Sequence, residues 1–82
     1  MELMDNLKAI CRDVINTHGE FQIDESKITS DADFYNDLGI DSLMAVAFMV
    51  ELQRTFKIRI SEEDAIKIRT LSELENYLQV RL

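Results

Sequence analysis

Leu43 to Val50 form an unbroken run of eight apolar side chains inside an uncharged stretch, Ser42–Val50, of nine residues. A membrane-spanning helix needs ~20 such residues, so this run is too short to cross a bilayer. As a helix it is hydrophobic around its whole circumference. Such a helix either lies at the centre of a fold or keeps one greasy face for a partner. A chain of 82 residues buries only ~60–65% of its unfolded surface, so it can hardly cover one helix on every side. Some of this helix is therefore expected to stay exposed.

Its limits are set by its flanks. Asp41 is placed to cap a helix that begins at Ser42 and runs to about Phe56. The face through Ala45, Phe48, Met49, Leu52 and Phe56 is the better core candidate. The opposite face, through Leu43, Met44, Ala47, Val50 and Arg54, is the better candidate for partner contact. Upstream, Leu3, Leu7, Ile10 and Val14, with Met4, Cys11 and Ile15, recur at the three-and-four spacing of an amphipathic helix over the first eighteen residues. His18-Gly19 ends it, with Gly19 free to adopt a left-handed conformation. Downstream, Ser61-Glu62-Glu63-Asp64 resembles a capping box opening a short helix to about Ile66. Thr70-Leu71-Ser72-Glu73 is a full capping box ahead of the stripe Leu71, Leu74, Tyr77, Leu78, Leu82. Lys57–Ile60 alternates like a strand but has no pairing mate, and reads as a connection. The expected fold is all-α: a four-helix bundle of three main helices and one short one, with a long loop after the first. Residues 1–82 are expected to be a single domain.

That loop, Glu20 to Asp41, exceeds what a compact domain tolerates without function, and Phe21, Ile23, Ile28, Phe34, Tyr35, Leu38 and Ile40 are expected to tack it down. It holds seven acids against one base, whereas Ser42–Ile60 holds one acid, Glu51, against three bases. The formal net charge is −7, which repels phosphate backbones and anionic lipids and argues against a nucleic-acid binder. A lone Cys cannot form an internal disulfide. Cys11, inside the first helical stripe, reads as a small buried hydrophobe. Glu2 and Asp5 leave no basic region for a signal peptide, so a cytoplasmic location is expected.

One His and one Cys exclude a multi-ligand zinc site, and Ser42 lacks the Gly-x-Ser-x-Gly context of a hydrolase elbow. No phosphate-cradling Gly-rich loop occurs, because Gly19 and Gly39 stand alone. Read as a calcium loop, Asp31-x-Asp33…Asp37-x-Gly39-x-Asp41 puts Asn36 where Gly is required and Ser42 where the bidentate Glu belongs, so no dedicated metal site is expected. What stands out is Asp37-Leu38-Gly39-Ile40-Asp41-Ser42-Leu43, in which a Gly-containing turn delivers a hydroxyl to the first turn of a helix. Ordinary capping explains part of this. A phosphate ester on that oxygen would also sit at the positive end of the helix dipole, where anions gain ~0.3–1 kcal/mol.

The motif Asp41-Ser42-Leu43 and the phrase Asp31–Ile40 ahead of it resemble the acyl carrier proteins of fatty-acid and polyketide synthesis. The resemblance continues through Val46, Leu52, Phe56, Ile58 and Ile60, then Glu63-Asp64-Ala65 and the helix opening at Thr70-Leu71. It implies that Ser42, flanked by Asp41 and Leu43, receives a 4′-phosphopantetheine arm from coenzyme A through a separate phosphopantetheinyl transferase. The arm's thiol then carries acyl groups as thioesters to acyl-loading and chain-elongation enzymes. It implies a monomer that catalyses nothing itself, and an acyl cavity lined by Phe48, Met49, Leu52 and Ile66.

One departure matters. Fatty-acid carriers usually bear acids on the outward face of the second helix, where this chain has Met44, Ala47, Gln53 and Arg54. A specialised fatty-acid or polyketide-type pathway is therefore expected, with partners meeting Leu43, Met44, Ala47, Val50 and Arg54. The alternatives are a peptidyl or aminoacyl carrier sharing the same serine, and a helical interaction module in which Ser42 only caps a helix.

Overall fold

The computed structural model describes residues 2–19 and 22–82. Among the described residues four α-helices follow in order: α1 (Leu3–His18), α2 (Ser42–Phe56), α3 (Glu62–Lys67) and α4 (Leu71–Arg81), with a 3₁₀ turn at Glu25–Lys27 in the long loop. The expected all-α plan of three main helices and one short one is what the chain forms.

The core is built where α1, α2 and α4 converge. Leu7, Cys11, Val14 and Ile15 come from α1, Met44, Phe48 and Leu52 from α2, and Leu71, Leu74 and Leu78 from α4. Each fully buried Leu or Phe side chain contributes roughly 1.5–3 kcal/mol relative to exposure. Cys11 is one of these residues, and burial pushes its thiol pKa up to about 12.

On α2 the buried positions recur every fourth residue, so the core line is Met44–Phe48–Leu52. Ala45, Met49 and Phe56, expected on the core face, are only partly buried beside it. Met44, expected on the exposed face, is 4% exposed. That expectation is corrected: α1 packs against the side of α2 that carries Met44, and its methyl group reaches the end of α1 near Gly19. The last turn of α4 corrects another, since Leu82 lies beyond the helix and is 60% exposed.

The helix ends follow their caps. Asp41 Oδ1 accepts from the Met44 amide at 2.9 Å, Ser61 Oγ from Asp64 at 3.1 Å and Thr70 Oγ1 from Glu73 at 3.1 Å. The return half of the second box differs from expectation, because Glu73 Oε1 accepts the Arg69 amide (2.7 Å), one residue ahead of the cap. Gly19 is not left-handed, with φ −85°. Its amide donates to Ile15 O at 2.7 Å, and a Cβ there would stand 2.6 Å from that same oxygen. Glycine is needed for close approach, not for handedness. The left-handed residue is instead Lys57 (φ 56°), which ends α2.

Candidate functional site

The long loop is held from both sides. Asn16 on α1 accepts the Ile23 amide on its Oδ1 (2.7 Å) and donates its side-chain amide to Ile23 O (3.3 Å). Arg12 reaches Glu25 at 3.1 Å. Ile28, Phe34 and Ile40 are buried, and Ile23, Tyr35 and Leu38 pack partly buried against the core, as the tacking-down of this loop requires. Phe21, expected among these anchors, lies outside the described residues.

Asp33 organises the second half. Its Oδ1 accepts the amides of Tyr35 and Asn36, both at 2.9 Å, and its own amide donates to Asp37 Oδ2 at 2.8 Å. Arg69, 36 positions away, donates Nε to Asp33 Oδ2 (2.8 Å) and Nη2 to Oδ1 (3.2 Å). This is the two-pronged pairing that a planar guanidinium makes with a carboxylate. The Arg69 guanidinium lies 4.9 Å from the centre of the Tyr35 ring, and Arg69 O accepts the Phe34 amide at 2.8 Å. These hydrogen bonds, those from Arg69 foremost, hold the Asp33 carboxyl below the usual carboxylate range. The loop is thereby fixed to the junction of α3 and α4.

From this anchor the chain turns toward α2. The Ile40 amide donates to Phe34 O (2.9 Å), and between them Gly39 adopts φ +73° with open space around it. A left-handed turn of this kind favours glycine, since other residues lose roughly 1–2 kcal/mol there. Phe34 meets Phe48 edge-on, ring centres 5.5 Å apart at 80°, locking the loop onto α2. Ser42 then stands as the first residue of α2, exposed to solvent, with Asp41 exposed beside it as the cap. The first amides of any helix lack intrahelical partners and point outward past this position.

Ser42 opens onto a cleft of about 620 Å³ between α2 and α3, whose other walls include Phe34, Tyr35, Ile40, Ala45, Val46, Phe48, Met49, Ile66 and Ile68. The lining is mostly apolar, with Gln53 and Glu62 as polar exceptions. Of the expected cavity residues, Phe48, Met49 and Ile66 line it. Leu52 does not, because it is fully buried in the line facing the other helices. Val46 and Gln53 join the expected residues in the cleft wall, and their spacing from Met49 (three before, four after) is the sequence signal for them. Tyr35 and Ile68 lie in segments where no helical period points to a cavity.

The expected contact residues separate in the structure. Leu43 is 74% exposed, Val50 is 45% exposed and Arg54 is exposed, whereas Met44 is buried and Ala47 is half-buried in a groove between α1 and α2. Val46 at 62% and Ile66 on α3 at 71% join the exposed group instead. Among the described residues, no three His, Cys, Asp or Glu side chains come together as a metal site, and no helix is long and apolar enough to cross a membrane.

Residues 5–78 match the family model described as the phosphopantetheine attachment site. In three dimensions the chain is similar to a solved structure from Mycobacterium tuberculosis assigned as an acyl carrier protein. The match has 26% sequence identity and a TM-score of 0.81, covering 99% of this chain and 100% of the other.

Proposed function

We propose, given that this chain belongs to the phosphopantetheine attachment-site family of acyl carrier proteins, that Ser42 is the residue esterified by the 4′-phosphopantetheine arm and that residues 1–82 act as one carrier domain. The observation that carries this is the conjunction at Ser42: an exposed hydroxyl on the first residue of α2, a capping carboxylate immediately before it, and an apolar cleft beside it.

The residues present fit such a group. A phosphodiester on Ser42 Oγ would lie against the outward-pointing amides at the start of α2. Asp41 is already engaged by the Met44 amide, which holds the turn and keeps the serine outward. No general base in this chain is required, since the family is not itself catalytic and a separate transferase supplies the chemistry. When bound, the arm supplies a terminal thiol that forms thioesters with acyl groups. Ala45, Val46, Met49 and Ile66 offer an apolar wall to such cargo, and its burial stabilises by roughly 0.8 kcal/mol per methylene shielded from water.

The carrier reading places the partners, a phosphopantetheinyl transferase and acyl-loading and chain-elongation enzymes, on the exposed side of α2. The lack of net acidity on that helix, which carries one acid (Glu51) and one base (Arg54), supports a dedicated pathway, fatty-acid or polyketide in type, over general fatty-acid supply. The test is intact-protein mass after incubation with coenzyme A and a broad-specificity phosphopantetheinyl transferase. One arm's mass should be gained by the native sequence and by none of the Ser42→Ala sample. No gain in the native protein, or gain in the variant, overturns the assignment.

A further inference from the structure

Leu43, Val46, Val50 and Arg54 are spaced three, four and four residues apart, so they share one stripe of α2, and Lys57 follows at its end. All five are exposed. The stripe is polarised along its length. Beside Ser42 stands Asp41, an exposed carboxylate, and the loop ahead of it carries the exposed Asp37, with no lysine or arginine between Asp31 and Glu51. At the far end stand Arg54, about 18 Å from Ser42 by the helical rise of ~1.5 Å per residue, and Lys57 just beyond it at the end of the helix. Glu51 pairs with Arg54 at 3.3 Å, but both side chains are solvent-exposed, and a pair of that kind is weak and leaves the guanidinium available. Glu62, the other nearby acid, lies across the cleft on α3.

A surface that is apolar in the middle, negative at one end and positive at the other selects both the partner and the direction of docking. We infer that this stripe seats on an enzyme whose docking face has an apolar centre, carboxylates at the end remote from its thiol channel, and cationic side chains beside the channel mouth. This rests on the carrier reading above. Like charges on the remote end of a candidate enzyme would meet Arg54 and Lys57 and slow encounter, whereas carboxylates there would steer it. Only one orientation satisfies both ends while bringing Ser42 to the channel.

The test uses the full chain carrying its arm, with arm attachment confirmed first by intact mass, so that failure of the carrier reading is seen separately. A carrier-dependent acyltransferase is prepared in two forms, with the surface residues remote from its channel set either to Glu or to Lys. Turnover of each form on free pantetheine checks that both are intact. The native carrier should be loaded faster by the Glu form, on the order of ten-fold at low ionic strength, with the advantage shrinking as salt is raised. The double variant Arg54→Glu, Lys57→Glu should reverse the preference. Equal loading by both forms, or a preference that survives the double variant, overturns the inference.

Discussion

Phe48 is the side chain on which the loop, the cleft and the core all depend, and its replacement tests the packing directly. It is fully buried, meets Phe34 edge-on at 5.5 Å and forms part of the cleft wall. Truncation to Ala should cost about 3–5 kcal/mol, the range for a buried aromatic whose site collapses only in part. At ~0.05–0.15 kcal/mol per residue, an 82-residue domain has a total stability of only about 4–12 kcal/mol, so Phe48→Ala would remove a large share of it and, at the lower end of that range, unfold the protein. The informative perturbation is therefore a cycle of Phe34→Leu, Phe48→Leu and the double variant, which keeps most of the volume. The edge-to-face pair should appear as a coupling of about 0.5–1.5 kcal/mol beyond the single costs. Urea unfolding followed by circular dichroism gives each midpoint, at a constant slope if the transition stays two-state. Additive effects, within a few tenths of a kcal/mol, would show that the loop is not held through this ring contact.

Three further outcomes follow from the geometry. Lys57→Gly removes the steric cost of a left-handed residue at the end of α2 and should raise stability by about 0.5–1 kcal/mol, read as a higher urea midpoint; an unchanged or lowered midpoint refutes the strain. The folded Asp33 carboxyl titrates below its unfolded value, so its contribution is present above the ordinary range near pH ~4 and is lost as pH falls through the folded value. In Arg69→Gln, nuclear magnetic resonance titration should find the Asp33 carboxyl shifted upward and acid unfolding beginning at higher pH, whereas an unmoved titration would deny Arg69 its part. Cys11, with its thiol pushed up to about 12, should resist thiol reagents at pH 8 in the folded apo-protein and react on adding urea; the arm-bearing protein should then show one fast thiol, and a fast reaction in the apo-protein would contradict the burial.

The limits of α2 were readable because they are local: Asp41 ahead of Ser42 supplies a cap, and both its position and its hydrogen bond to Met44 are as a capping residue dictates. The serine of the candidate site was readable for the same reason, as part of a contiguous motif. The faces of α2 were not. Where every position from Leu43 to Val50 is apolar, the helical period carries no contrast, so nothing in the order of residues separates Met44 from Val46. Gly19 was likewise recognised as a required glycine but for the wrong conformation, because the Ile15 carbonyl it must approach is placed by the helix end and not by the dipeptide.

By itself, the order of residues determined the number, kind and approximate ends of the helices, the serine at the start of the second, and the separation of charge between the loop and α2. Caps, periodicity and net charge act over a few neighbouring residues or need no coordinates at all. Tertiary structure alone decided which side of α2 faces α1, which residues wall the cleft, and that Arg69 clasps Asp33 across 36 positions. Those outcomes depend on which surfaces meet when α1 and α4 pack, and competition among equally apolar faces is settled only by the shape and volume of the assembled core.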